Sequence, residues 1–383
     1  MRLFGRASVS EFLDDFVVYR NLVPADERLS PLSAIRTDIG LAAGRLPRKS
    51  EPDYARVIVH MMKQAQSLNA SGYEIERLLY VGDTRLNDGT AFSNVCAAGN
   101  WRGLAFIAAE TDAPENVQVI RLPSQRQDAD DPELVLANRW SALYRFDALC
   151  AERDFAIDPS TAVIVDLDKT ALGARGRNAQ VIDQARVDAV QMTVADLLGD
   201  AFDPGAFRTA YDELNQPEYH SFTADNQDYL AYVCLILGSG LFNLEQIISD
   251  IGAGRLDTFE QFIALVNRKS AALESNLAAI HTDILSNVRS GDPTPFKSFR
   301  FNEYETTVSR MGQLDDATSV DEMLKHEIVI TQEVRSQALK WRERGALLFG
   351  LSDKPDEASV PAQALAAKGY RAIHRTVTHA VGG

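Results

Sequence analysis

Apolar residues along this chain fall into two kinds of pattern. Spacing of three and four, the mark of a helix with one buried face, runs through SVSEFLDDFVVYRNL, EPDYARVIVHMMKQAQSL and VIDQARVDAVQMTVADLL. Short uninterrupted apolar runs ending in a turn, RLLYVGD, GLAFIAA, TAVIVDLDKT, HEIVIT and ALLFGLSDKP, predict strands of the kind covered on both faces in a parallel sheet. The small-residue segment TAFSNVCAAG separates the first two of these runs. QEVRSQALKWRERG reads as a helix that Gly345 stops. Ser8 with Glu11, and Asp257 with Glu260, have the spacing of capping boxes.

These elements are unevenly distributed. Strands and helices alternate at both ends of the chain, whereas residues from Leu172 to Lys325 are helical in pattern, including the apolar YLAYVCLILGSGLF, which reads as helix core. A polar, Pro-containing stretch, LPSQRQDADDPE, and a further helix lead into TAVIVDLDKT. The expectation is an α/β protein: a doubly wound, mostly parallel, Rossmann-like sheet assembled from residues 1–171, with N-terminal helices, and 326–383. An all-α segment, 172–325, is inserted between them.

Composition excludes some classes of function. With 383 residues, 45% hydrophobic and 24% charged, the chain has ordinary globular composition and length for one large or two moderate domains. A net charge of -15 argues against general affinity for nucleic acid or anionic lipid, and a phosphorylated small molecule would need local cations. The N-terminal residues contain no apolar run of signal-peptide length and no stretch approaches a membrane span, which predicts a cytoplasmic protein. Cys96, Cys150 and Cys234 lack the paired spacings of a zinc site, and no histidines sit at HxxxH spacing. The sequence is silent on oligomeric state.

The sharpest chemical feature is Asp166-Leu167-Asp168-Lys169-Thr170, directly after AVIV. Ligands of open parallel sheets bind beyond the carboxyl ends of the strands, where both carboxylates would project. Two acids one residue apart can divide labour: Asp166 attacks phosphorus, while Asp168 protonates the leaving oxygen and later deprotonates water. Their mutual repulsion calls for a cation, and Mg²⁺ prefers such oxygen ligands. A turn or helix cap is the plainer reading of an isolated DxD. A second acidic element, Gly82-Asp83-Thr84-Arg85-Leu86-Asn87-Asp88, follows the strand RLLYV, with the glycine read as permitting a tight turn and Asp83 and Asp88 as metal carboxylates.

Together VIVDLDKT and YVGDTRLND resemble the first and fourth motifs of the haloacid dehalogenase (HAD) superfamily, in circularly permuted order, because the GDxxxxD form here precedes the DxD. The resemblance covers roughly residues 40–171 and 326–383. It implies Asp166 as nucleophile, Asp168 as general acid/base, and Mg²⁺ held by Asp166, Asp83, Asp88 and the main-chain carbonyl of Asp168. It also implies that the helical insert is a cap. Asp168 favours a phosphatase or phosphomutase over a dehalogenase. Thr331, ending EIVIT, suits the family's phosphate-binding hydroxyl and equally a helix N-cap. Lys49 and Lys354 compete for the phosphate-neutralising lysine, with Lys49 preferred. Asp353 in LSDKPDE is a poorer alternative metal carboxylate. Arg175 and Arg177 read either as binding a second anionic group of the substrate or as solvated loop residues. The expected activity is hydrolysis of a small phosphomonoester, with phosphoryl transfer to another hydroxyl, or a non-catalytic scaffold keeping a vestigial site, as alternatives.

Overall fold

The computed structural model describes all residues except 43, 45 and 124–130, so most of LPSQRQDADDPE lies outside the described residues. In chain order the strands are β1 (Arg2–Ala7), β2 (Val17–Val18), β3 (Arg77–Gly82), β4 (Arg102–Ala108), β5 (Val117–Arg121), β6 (Glu133–Ala137), β7 (Thr161–Asp166), β8 (Ile330–Thr331), β9 (Leu347–Leu351) and β10 (Thr378–Gly382). Seven of them form one sheet in the order β2-β9-β7-β3-β4-β6-β5, parallel except for β5, which runs antiparallel on the edge. The remaining three, β1-β10-β8, form a small separate sheet in which the first and last strands pair antiparallel.

The chain divides into two compact units, one comprising Met1–Gln184 and Thr307–Gly383 and the other Ala185–Thr306. The helical unit is therefore narrower than the 172–325 span expected from pattern. The residues just after β7 and those before β8 belong to the α/β unit.

Helices cover both faces of the seven-stranded sheet. On one face, Tyr54, Val57, Ile58, Met61 and Met62 of the helix Pro52–Asn69 pack with Leu78 and Tyr80 of β3, Ile164 of β7 and Phe349 of β9. That stripe is the three-and-four spacing read from sequence, and each large side chain so buried contributes about 1.5–3 kcal/mol. Residues of alternate parity point the other way. There Phe106 of β4 meets the ring of Phe146, which in turn meets Trp341 of the helix Gln332–Glu343. The central strands β3 and β7 are buried almost throughout, which explains their unbroken apolar runs.

Four local expectations are corrected. SVSEFLDDFVVYRNL forms only a short helix, Ser10–Leu13, because the chain leaves helical geometry at Asp14 (φ 49°); its VV then serves as β2 against β9. Ser8 does not cap that helix; its hydroxyl meets that of Ser10 at 2.8 Å. In the helical unit the capping box is Thr258 with Gln261, one residue beyond the Asp257–Glu260 pair. HEIVIT contributes only Ile330–Thr331 as strand, and that strand lies in the small sheet.

The helical unit has its own core, including Phe222, Tyr232, Phe259 and Phe262. Inside it the Arg300 guanidinium joins two fully buried carboxylates: Nε reaches Asp228 at 2.8 Å and Nη1 reaches Glu303 at 2.5 Å. Arg186 also reaches Glu303, at 3.2 Å. Removing one member of such a network strands the others without a counter-charge, at a cost of about 3–5 kcal/mol. Arg300→Met should therefore lower the urea midpoint of unfolding by an amount of that order, and an unchanged midpoint would show that the network does not stabilise the fold.

Candidate active site

Sheet order is what assembles the site. β7 lies directly between β3 and β9, with Val81 level with Val165 and Asp166 level with Leu351. The turns following β3, β7 and β9 thus leave the same edge of the sheet side by side. Asp83, Asp88 and Asp166, all buried, come together so closely that one carboxylate oxygen of each lies within 4.8 Å of the others.

Asp88 is the most heavily bonded of the three. It lies in the first turn of the helix Asn87–Gly99, and its Oδ2 accepts from the main-chain N–H of Asp83 (3.0 Å), the main-chain N–H of Thr84 (2.8 Å) and the Thr84 hydroxyl (2.8 Å). Its Oδ1 accepts from the Tyr80 hydroxyl at 3.0 Å and from Lys49 Nζ at 2.7 Å. Gly82 is required by this arrangement, though not for a turn: its φ is not positive, and a Cβ there would stand 2.7 Å from the Asp88 carboxyl carbon.

Lys49, three residues before the helix Pro52–Asn69, is almost wholly buried and also donates to Asp166 Oδ1 at 2.5 Å. The other Asp166 oxygen has no hydrogen-bond donor among the described residues, so one oxygen is anchored and one is left available. Asp83 pairs with the Arg175 guanidinium through Oδ2. Asp168, half-buried, accepts through Oδ2 from the Ser352 hydroxyl at 3.0 Å.

Electrostatics follow from this crowding. Burial would lower the Lys49 ammonium, but the Asp166 and Asp88 charges outweigh it and hold the pKa well above its ordinary value. Burial works against the Asp88 carboxylate too, yet Lys49 and the Thr84 donors hold it below the usual range. Burial raises Asp166, and the neighbouring Asp88 and Asp83 charges add to the rise while Lys49 opposes it. Burial, with repulsion from Asp88, pushes Asp83 up to about 6 against the pull of Arg175.

Of the residues singled out from sequence, the structure brings together Lys49, Asp83, Asp88 and Asp166, with Asp168 at the end of the same strand and Arg175 against Asp83. It distributes the others differently. Lys354 is buried and donates to the Thr307 hydroxyl at 3.0 Å. Thr331 lies in the small sheet and donates its hydroxyl to the Thr170 carbonyl at 2.5 Å. It stands at the N-cap position of the helix that follows, as the plainer reading expected, but its side chain makes no capping hydrogen bond. Arg177 is not a solvated loop residue: it is buried and clamped between Glu110 (2.7 Å) and Glu333 (2.9 Å). Asp353 accepts from the Asn87 side chain at 2.7 Å.

Sequence reasoning passed over Ser352. It directly follows β9, the strand that actually flanks β7, and its hydroxyl donates to Asp168. LLFGL forms a full strand of buried residues whereas the strand before Gln332 is two residues long, a difference that the two apolar stretches do not signal in sequence. Tyr80 also went unnoticed because its position inside RLLYV reads as core.

Three oxygen donors at this separation suit a hard divalent cation, with Asp83 and the Asp166 lone pairs that Lys49 does not occupy offering open acceptor capacity. With its pKa raised, the Asp83 carboxyl stabilises the cation-free fold at low pH, and that contribution is lost as pH rises through about 6. A cation must displace that proton. The rise in thermal midpoint on adding Mg²⁺ should therefore be larger at pH 7.5 than at pH 5, and absent in Asp83→Asn; an equal rise at both pH values, or in the variant, would place the cation elsewhere.

Comparison with protein-family models, with curated proteins and with solved structures returns no match to this chain.

Proposed function

We propose that this chain is a Mg²⁺-dependent phosphohydrolase acting on small phosphomonoesters through an aspartyl-phosphate at Asp166, with the chemistry of the HAD superfamily in permuted order. The observation that carries the reading is the Asp166 carboxylate itself. One of its oxygens is anchored by a buried ammonium and the other stands without a donor among the described residues, at the carboxyl end of a central parallel strand.

Asp83, Asp88 and Asp166 would hold Mg²⁺, which would offset negative charge on the transferring phosphoryl group. The available oxygen of Asp166 attacks phosphorus, the bond from phosphorus to the leaving oxygen breaks, and Asp168 gives that oxygen its proton. In the second half Asp168 takes a proton from water as the water oxygen attacks phosphorus. The bond to Asp166 then breaks, returning the carboxylate and releasing inorganic phosphate. Lys49 keeps the nucleophile oriented and balances part of the charge. Ser352 fixes Asp168 from β9, and it takes the place beside the nucleophile that Thr331 was expected to fill. The unit Ala185–Thr306 is inserted in the chain between the nucleophile strand and β9, where a substrate-selecting cap would be encoded.

Asp166→Asn should abolish Mg²⁺-dependent phosphate release from p-nitrophenyl phosphate while leaving the circular dichroism spectrum unchanged. Retained turnover in that variant would refute the nucleophile assignment.

A further inference from the structure

The corner of the sheet beside the nucleophile contains two polar groups that the proposed chemistry does not use. Arg20 follows β2, and its main-chain N–H donates to the Lys354 carbonyl at 3.1 Å, while Ser352 N–H donates to Val18 at 3.1 Å. Val18 is level with Leu351, which is level with Asp166, so Arg20 and Asp168 each lie two residues beyond one line across the sheet. β2 is two strands from β7, a lateral separation of about 10 Å.

The Arg20 guanidinium makes no hydrogen bond or ion pair among the described residues, and its Nε is buried without a partner. Tyr54, in the first turn of the helix Pro52–Asn69, likewise has a buried hydroxyl with no partner. Asp353, Lys49, Asp166 and Arg20 are the charges that act on that hydroxyl, so both unused donors belong to one neighbourhood. Acidic groups are close by, yet they are engaged elsewhere: Asp353 with Asn87, and Asp356 with the main-chain N–H of Asn21 at 3.1 Å. A buried donor without a partner is costly to the free protein, and its retention points to a ligand that satisfies it.

We propose that Arg20 and Tyr54 form an anion-recognition subsite beside the phosphoryl site, selecting phosphomonoesters that carry a second anionic group, a carboxylate or a further phosphate. This rests on the phosphohydrolase reading above. The span of two strand spacings fits a substrate whose second charge is separated from the scissile phosphate by a few carbon atoms, and the guanidinium fork matches either anion in two-point contact.

The test compares kcat/KM on matched substrates, glycerol 3-phosphate against 3-phosphoglycerate and fructose 6-phosphate against fructose 1,6-bisphosphate, with p-nitrophenyl phosphate as the generic probe. Wild type should favour the member bearing the additional anion in at least one pair. Arg20→Ala should shrink that preference by about tenfold or more, the scale of one lost charge-assisted contact. Arg20→Lys should fall between the two. Tyr54→Phe should also reduce the preference, with no loss of thermal midpoint because its hydroxyl has no partner to lose; it serves as the test should Arg20→Ala fail to fold. A wild type that releases phosphate from p-nitrophenyl phosphate but shows no such preference, or a preference unaltered in Arg20→Lys and Tyr54→Phe, overturns the subsite alone. Release from no substrate at all overturns the phosphohydrolase reading, and the subsite with it.

Discussion

Three carboxylates cannot be buried within one small volume unless something offsets their mutual repulsion, and in this protein the offset comes chiefly from one ammonium. Lys49 sits between Asp88 and Asp166 at 2.7 and 2.5 Å, drawn from a segment remote in sequence from both. Opposite charges at such distances attract strongly in a partly desolvated site, but taking each ion out of water costs several kcal/mol. Groups held this way are therefore better suited to a ligand or a reaction than to stability. Arg175 plays the lesser version of the same part at Asp83, from a more exposed position.

The geometry of that cluster follows from strand order more than from any single side chain. Placing β7 between β3 and β9 sets the acids of two strand ends and the hydroxyl of a third along one edge. Gly82 lets the Asp88 carboxyl approach the main chain of β3, and the main-chain donors of Asp83 and Thr84 then fix it. Asp88 is consequently a rigid post for Lys49, and Lys49 in turn holds one oxygen of Asp166. The rigidity is built from main-chain hydrogen bonds, which vary little when surrounding side chains change.

Much of this was legible in the sequence. The unbroken runs in β3 and β7, the acids that end them and the three-and-four spacing of the Pro52–Asn69 helix each carry a local signal, and Lys49 could be placed by its position before that helix. Strand pairing carries none, so Thr331 and Ser352 could not be ranked: both follow short apolar stretches, and only the sheet order reveals that β8 departs to a different sheet. Arg177 was misread for a related reason. Its partners Glu110 and Glu333 lie far away along the chain, and a buried ion pair of that kind looks identical to a solvated arginine in one dimension. VV at Val17–Val18 was hidden inside a helical pattern because two residues are too few to establish alternation.

The claim on which everything rests is that the acids after β3 and β7 act on one divalent ion. A crystal structure of the protein soaked in Mn²⁺, with anomalous scattering used to locate the metal, tests it most directly. The account predicts a peak bonded to carboxylate oxygens of both Asp83 and Asp166 at about 2.0–2.3 Å. A map with no peak between those two side chains, at a Mn²⁺ concentration that populates other sites, would contradict it.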